Sequence, residues 1–301
     1  MSTASERNKV LVLAFMFGLV VGAVATEPAR AGETVLHSFN PYPRGAYPQA
    51  GVVLCSGPGD MLFGTAFSGG SAGGGVVYRV DNAGHGAALH SFTGGADGAF
   101  LIAGVTCGSD GNIYGTTLFG GAAGAGVVYR VEGAGEETVL YNFTGGADGG
   151  LPAAGVIRDP AGNLYGTTCC GGSYSAGNVF KLDTKGHETV LYSFTGGNDG
   201  GYPFASLVFD SAGNLYGTTN GGGQYGAGVV YKLSAVGEES VLYTFTGGND
   251  GGYPQSGVVL GAVASSTFAQ KGFKSATGYE GDGFESLGLG TGSRLRSPYS
   301  S

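Results

Sequence analysis

Residues 192–203 read Tyr-Ser-Phe-Thr-Gly-Gly-Asn-Asp-Gly-Gly-Tyr-Pro, and 204–219 continue as Phe-Ala-Ser-Leu-Val-Phe-Asp-Ser-Ala-Gly-Asn-Leu-Tyr-Gly-Thr-Thr. This stretch decides the fold because it returns. Gly217 follows Leu215-Tyr216, and its counterparts Gly64, Gly115 and Gly166 also follow a hydrophobic–aromatic pair, each 51 residues from the next. Val76-Val77-Tyr78, Val127-Val128-Tyr129, Val179-Phe180 and Val229-Val230-Tyr231 keep the same step. Phe39, Phe92, Phe143, Phe194 and Phe245 make a third series, with one step of 53 and then three of 51. Repetition this regular means one supersecondary unit stacked on itself.

Working outward, each unit holds four candidate strands. In the fourth unit they cover 204–210, 214–220, 229–234 and 240–246, rich in Val, Leu, Tyr, Phe and Thr and bounded by Gly, Asn or Asp. Asp210 to Asn214 reads as a tight hairpin, with the Asp side chain capping the turn and Gly213 taking the left-handed position. Four antiparallel strands in about 50 residues is the size of a β-propeller blade. A parallel solenoid uses shorter coils without hairpin turns. Val190, Tyr192 and Phe194 are expected on one face of the outer strand and Leu191 and Ser193 on the other, which suits a sheet packed between two neighbours. The repeats begin with a fourth-type strand at 34–39 and open a further first-type strand at 256–260. The expected fold is therefore all-β: a propeller of ~51-residue four-stranded blades, five in number, with the fifth incomplete or closed by the N-terminal strand.

Composition agrees. Glycine (64) and proline (10) make about a quarter of the 301 residues, yet 42% are hydrophobic and Tyr and Phe number 17 each. A disordered chain lacks such a core. With 12% charged residues and no Trp, long amphipathic helices are excluded, and no three-residue glycine period supports collagen. The net charge of −8 without a basic patch argues against nucleic acid or anionic membrane as partner.

Residues 1–31 read as a signal peptide: Arg7 and Lys9 form a basic start, 10–24 is an apolar run, and Ala23-Val24-Ala25 and Ala29-Arg30-Ala31 offer cleavage sites. The apolar run is short for a membrane span, so no transmembrane segment is expected after cleavage. The expected destination is periplasmic, cell-surface or secreted. Export places Cys55, Cys107, Cys169 and Cys170 where disulfides form, and the sequence leaves all three pairings open.

The stretches 192–203 and 213–219 together resemble the GloVer tandem repeat, a Gly-rich bacterial repeat of this length found in exported choice-of-anchor proteins. The resemblance covers about residues 33–260. It implies an exported, propeller-like surface protein. Family members often end in an anchoring segment, whereas the tail here shows no apolar helix with a basic stop.

In such a blade the loops after the second and fourth strands leave the sheet at the same end, and here they are the long ones (221–227 and 247–255, with their counterparts). They carry the candidate binding residues Asp97, Asp148, Asp199, Asp250, Tyr202 and Tyr253. An Asp among backbone carbonyls can help hold Ca²⁺, and an exposed Tyr can stack on a sugar. Each Asp can equally cap its own turn, and repetition in every unit favours that role. No cofactor is expected apart from calcium. His37 and His90 stand where Tyr141, Tyr192 and Tyr243 stand in other units and read as packing residues; His85 and His187 read as exposed turn residues. Catalytic residues normally break a repeat, and only Arg44, Asp60 and Arg158 do so visibly, without evident partners. The chain is thus expected to be a surface-binding or adhesive module for a glycan or protein, with no reaction of its own. The alternatives are a structural envelope protein and a polysaccharide hydrolase or lyase.

Three domains follow: 1–31, the repeats at 32–260, and a Ser/Gly-rich tail at 261–301 in which Gly-Asn-Leu-Tyr-Gly never recurs. The abrupt break predicts either a disordered tail or a frameshifted or truncated gene end. Translating the other two frames beyond codon 260 tests the frameshift: a Gly-Asn-Leu-Tyr-Gly there establishes it, and absence from both frames removes it.

Overall fold

A computed structural model describes residues 35–39, 45–55 and 61–261. The chain divides into a unit ending at Val35 and a second, Leu36–Ser301, and the second is the subject here. The expected signal peptide at 1–31, Arg44, Asp60 and nearly all of the 261–301 tail lie outside the described residues.

The described strands form four sheets of four. Blade 1 contains β1 (Val53–Cys55), β2 (Met61–Ala66), β3 (Val76–Val80) and β4 (Gly86–Ser91). Blade 2 contains β5 (Thr106–Cys107), β6 (Ile113–Thr117), β7 (Val127–Val131) and β8 (Glu137–Asn142). Blade 3 follows with β9 (Ile157–Arg158), β10 (Leu164–Thr168), β11 (Asn178–Leu182) and β12 (Glu188–Ser193). Blade 4 has β13 (Val208–Phe209), β14 (Leu215–Thr219), β15 (Val229–Leu233) and β16 (Glu239–Thr244). Each sheet is an antiparallel meander in chain order. The fold is an all-β propeller.

The three sequence markers meet in one place. In the second strand of each blade a glycine leaves room for an aromatic ring from the third strand. A Cβ on Gly115 would stand 2.6 Å from Tyr129 Cζ, and one on Gly166 2.7 Å from Phe180 Cζ. The ring thus seated meets the Phe that ends the previous unit: Phe39–Tyr78, Phe92–Tyr129, Phe143–Phe180 and Phe194–Tyr231 have centroids 4.9, 4.9, 5.1 and 4.9 Å apart. These pairs are edge-on or tilted, and each is worth about 0.5–1.5 kcal/mol beyond the area it buries. Leu and Val from both sheets fill in around them, giving one apolar cluster per blade junction. Residues 36–39 occupy, beside blade 1, the place of a preceding blade's outer strand.

A buried threonine adds a polar tie at each junction. Thr65, Thr116, Thr167 and Thr218 Oγ1 donate to the carbonyls of Ala103, Ala154, Ala205 and Ser256 in the next unit, at 2.8, 2.8, 3.4 and 3.1 Å. These bonds explain why the first strand is shorter than the sequence suggested. Only Val208 and Phe209 pair with β14, because the segment before them hydrogen-bonds back to blade 3. The Ser256 bond shows a further unit beginning in the same way.

The outer strand departs from strict alternation. Val179 pairs with Tyr192 and Phe180 with Val190, leaving Leu191 as a bulge. Leu191, expected on the opposite face, therefore joins Tyr192 and Phe194 against the Tyr231 cluster.

The glycine under the ring gives a test. Gly115→Ala forces the Tyr129 ring or β6 to move and is expected to cost about 1–3 kcal/mol in urea unfolding. Gly133→Ala, at a turn with nothing within 4 Å of the added Cβ, should leave the midpoint unchanged.

Candidate functional site

The long loops do meet at one end of the sheets. Short antiparallel bridges, Ala46↔Ser68, Ala99↔Phe119, Gly150↔Cys170 and Gly201↔Gly221, pin the loop entering each blade to the loop after its second strand. At this seam one residue per unit has left-handed backbone: Tyr47, Phe100, Leu151, Tyr202 and Tyr253, with φ of 57, 59, 52, 59 and 54°. Glycine would adopt this φ freely, whereas a large side chain costs of order 1–3 kcal/mol there and persists only when its surroundings fix it. Here both backbone groups are clamped. The N–H of Phe100, Leu151, Tyr202 and Tyr253 donates to Gly74, Ala125, Ala176 and Ala227 of the previous blade at 2.7–2.8 Å. The carbonyls of Tyr47, Phe100, Leu151 and Tyr202 accept from Phe67, Leu118, Cys169 and Asn220 of the blade being entered.

The rings at these positions are only partly used in packing. Phe100 sits between Phe67 and Phe119, at 5.0 and 6.0 Å, and the Tyr202 ring edges over Gly221. Tyr47, Tyr202 and Tyr253 remain 72, 44 and 61% exposed, and Tyr174, Tyr225 and Phe119 on the loops after the second strands are exposed as well. Tyr202 and Tyr253 were legible from sequence. Tyr47 was missed, although Tyr47-Pro48-Gln49 repeats Tyr253-Pro254-Gln255.

The four candidate aspartates behave differently from the tyrosines. Asp148 Oδ2 accepts from Thr144 N at 2.8 Å and from Tyr141 Oη at 3.1 Å, while Oδ1 takes the Thr144 hydroxyl. Asp199 and Asp250 make the same three bonds with Thr195 and Tyr192, and with Thr246 and Tyr243. Asp97 accepts from Thr93, and His90 Nε2 stands 3.8 Å away in the tyrosine's place. These carboxylates are turn caps directed at their own chain. Among the described residues no group of three or more His, Cys, Asp or Glu is arranged to hold a metal ion.

At the other end of the sheets, turns of blades 3 and 4 enclose a cleft of about 630 Å³ lined by Asp159, Tyr165, Lys181, Phe209 and Asp210. No single repeat encodes it, and nothing read from the repeats pointed to it. Its carboxylates are occupied: Asp159 by Asn163 and Tyr165, Asp210 by Asn214 and Tyr216. Lys181 lies over the Tyr165 ring. Arg158 also has partners that the sequence did not show. Its guanidinium reaches Ser109 and Asp110 of blade 2 at 3.1 and 3.2 Å and stacks on Tyr114.

A family model for the Gloeobacter/Verrucomicrobia repeat matches residues 59–279. The chain belongs to this family. No curated protein matches the sequence. Among solved structures, this Gloeobacter/Verrucomicrobia repeat protein is similar to a putative gluconolactonase, with 14% identity over 69% of this chain and 66% of that one, and a TM-score of 0.40. It is also similar to a luciferin-regenerating enzyme (14% identity, 76% and 72% covered, TM-score 0.45). A third is a putative 6-phosphogluconolactonase from Bacteroides uniformis (18% identity, 60% and 52% covered, TM-score 0.39). Proteins named as enzymes thus stand among its structural neighbours, and the expectation of a chain without a reaction of its own is corrected. A propeller scaffold gives no ground for excluding chemistry, since function resides in the side chains a fold presents.

One electrostatic feature recurs at the blade junctions. Glu137, Glu188 and Glu239 open the outer strands half-buried, each with Oε1 shielded and unpartnered. Burial, and then the charges of Asp97, Asp148 and Asp199, push their pKa from the ordinary 4.5 up to about 7. Blade 1 has Gly86 at this position, where a Cβ would meet the His37 ring. Because the folded-state pKa is the higher one, the protonated carboxyls favour the fold. That contribution is complete below about pH 4.5 and is lost as pH rises to about 7. Replacing all three with Gln should flatten the dependence of the urea midpoint on pH across this window and raise stability most at its upper end.

Proposed function

We propose that this repeat protein binds a carbohydrate polymer through the aromatic seam, outside the cytoplasm. The observation that carries the reading is the left-handed residue of each unit. Five units keep a large side chain where glycine would be unstrained, and three of these are tyrosines with exposed rings. Strain retained in this way at a loop marks a position kept for what its side chain does.

The chemistry favours sugar. A Tyr ring offers an apolar face to the C–H side of a pyranose and a hydroxyl at its edge. The net charge of −8 disfavours phosphate-rich partners. A seam position that returns after 53 and then 51 residues, with tyrosine at three of its five occurrences, also suits a ligand that repeats, since weak contacts on one chain reinforce one another through effective concentration. The leader-like residues 1–31 and the Cys55–Cys107 disulfide support an exported location.

The test uses the full chain against a panel of polysaccharides, reading binding and the release of soluble fragments together. Binding is expected, and Tyr202→Ala with Tyr253→Ala should weaken it about ten-fold or more, while the Phe replacements retain most of it. Absence of binding to every polymer overturns the reading. Undiminished binding by the folded double Ala variant overturns the assignment to this face. Fragment release would add a reaction on the same ligand.

A further inference from the structure

Cys169 and Cys170 follow β10 at the bend into the blade 3 loop, with Sγ atoms 3.0 Å apart. Cys169 is buried and Cys170 half-buried. The backbone here is that of every other blade: Cys169 N donates to Leu151 O as Phe67, Leu118 and Asn220 donate to their counterparts. Other blades fill the two positions with Phe67-Ser68, Leu118-Phe119 and Asn220-Gly221. The repeat therefore does not require cysteine at either place, and the pair adds something the fold alone does not need. Successive side chains of a strand point to opposite faces. The bend at Cys169 brings these two thiols together instead, inside the van der Waals contact of two unbonded sulfurs.

We propose that Cys169 and Cys170 close a vicinal disulfide, a redox-labile bond on the aromatic seam that is separate from the Cys55–Cys107 bridge. A disulfide oxidant of the glutathione class supplies the electron acceptor. Cys170, the more exposed thiol, attacks the oxidant as its thiolate, expelling one thiolate and forming a mixed disulfide. Cys169 then loses its proton, attacks Cys170 Sγ and expels the second thiolate. Two thiols are oxidised, one oxidant disulfide is reduced, and the two protons leave with the products. Burial raises the pKa of the Cys169 thiol, so it acts second.

The two bonds differ in strain. Adjacent Cα atoms are about 3.8 Å apart, below the usual 4.4–6.8 Å for disulfides, and strained bonds are more easily reduced. Cys55 and Cys107 have a Cα separation of 5.8 Å, inside that range. The proposed bond would open under mild reductant, freeing the loop pinned by Gly150↔Cys170, while the bridge between blades 1 and 2 holds.

Equilibrating the purified full chain in glutathione buffers of graded ratio, trapping thiols with N-ethylmaleimide and mapping peptides by mass tests this. Under oxidising conditions the peptide carrying both cysteines should be unlabelled and lighter by two hydrogens. It should gain two labels at an about ten-fold lower ratio of reduced to oxidised glutathione than Cys55 and Cys107 require. Cys169→Ser should leave Cys170 labelled under reducing conditions and carrying a glutathione adduct under oxidising ones, because no neighbour resolves the mixed disulfide, with circular dichroism reporting the fold. Two labels on the pair at the most oxidising ratio, where Cys55–Cys107 is closed, overturn the proposal. So do persistent glutathione adducts on the unsubstituted pair, or cross-links from either cysteine to another chain.

Discussion

Each blade is held to the next by an aromatic ring that lies over a glycine of its own sheet and meets a phenylalanine of the preceding unit. The contact makes demands on three separate parts of the repeat. The second strand must carry no Cβ at Gly64, Gly115, Gly166 or Gly217. The third strand must supply Tyr78, Tyr129, Phe180 or Tyr231, and the preceding unit must end in Phe. Packing at this density tolerates neither an added methyl nor a lost ring. One contact thus sets the spacing of all three markers and ties every blade to its neighbour.

The seam loops follow from that arrangement. Once two sheets are docked, the chain crossing between them must bond to both. The left-handed residue does so, giving its N–H to one blade and its carbonyl to the next. The aspartate caps keep the crossing tight by occupying the Thr hydroxyl and amide that would otherwise face solvent. Polar groups of the loop are spent on the loop, and the tyrosine rings are what it presents outward. This division of labour turns attention from the aspartates, conspicuous in sequence, to Tyr47, Tyr202 and Tyr253.

The junctions also concentrate the unusual electrostatics. Glu137, Glu188 and Glu239 sit where burial and a neighbouring carboxylate both oppose ionisation, while capping aspartates such as Asp159, Asp210 and Asp250 are held below their ordinary range by hydrogen bonds from their own turns. The two groups of acids therefore act on stability in separate pH ranges, the glutamates toward neutrality and the aspartates in acid.

The blade was legible in the order of residues alone. The 51-residue step, the Gly-Asn-Leu-Tyr-Gly turn and the alternation of short β-rich runs are local or periodic signals, and they were enough for strand order, propeller class and the end of the sheet that carries the long loops. Tertiary structure decided whatever depends on contact between units. In blade 4 the first strand shrinks to two residues because Thr167 in the preceding blade claims the segment before it. The Leu191 bulge, the left-handed clamp and the partners of Arg158 likewise arise across a junction. Of the three cysteine pairings left open, the fold selects Cys55–Cys107, since only docked blades bring those strands within bonding distance. A repeat specifies its own hydrogen bonds through residues close in the chain, but the gap between two repeats is shaped by surfaces that meet only after both have folded.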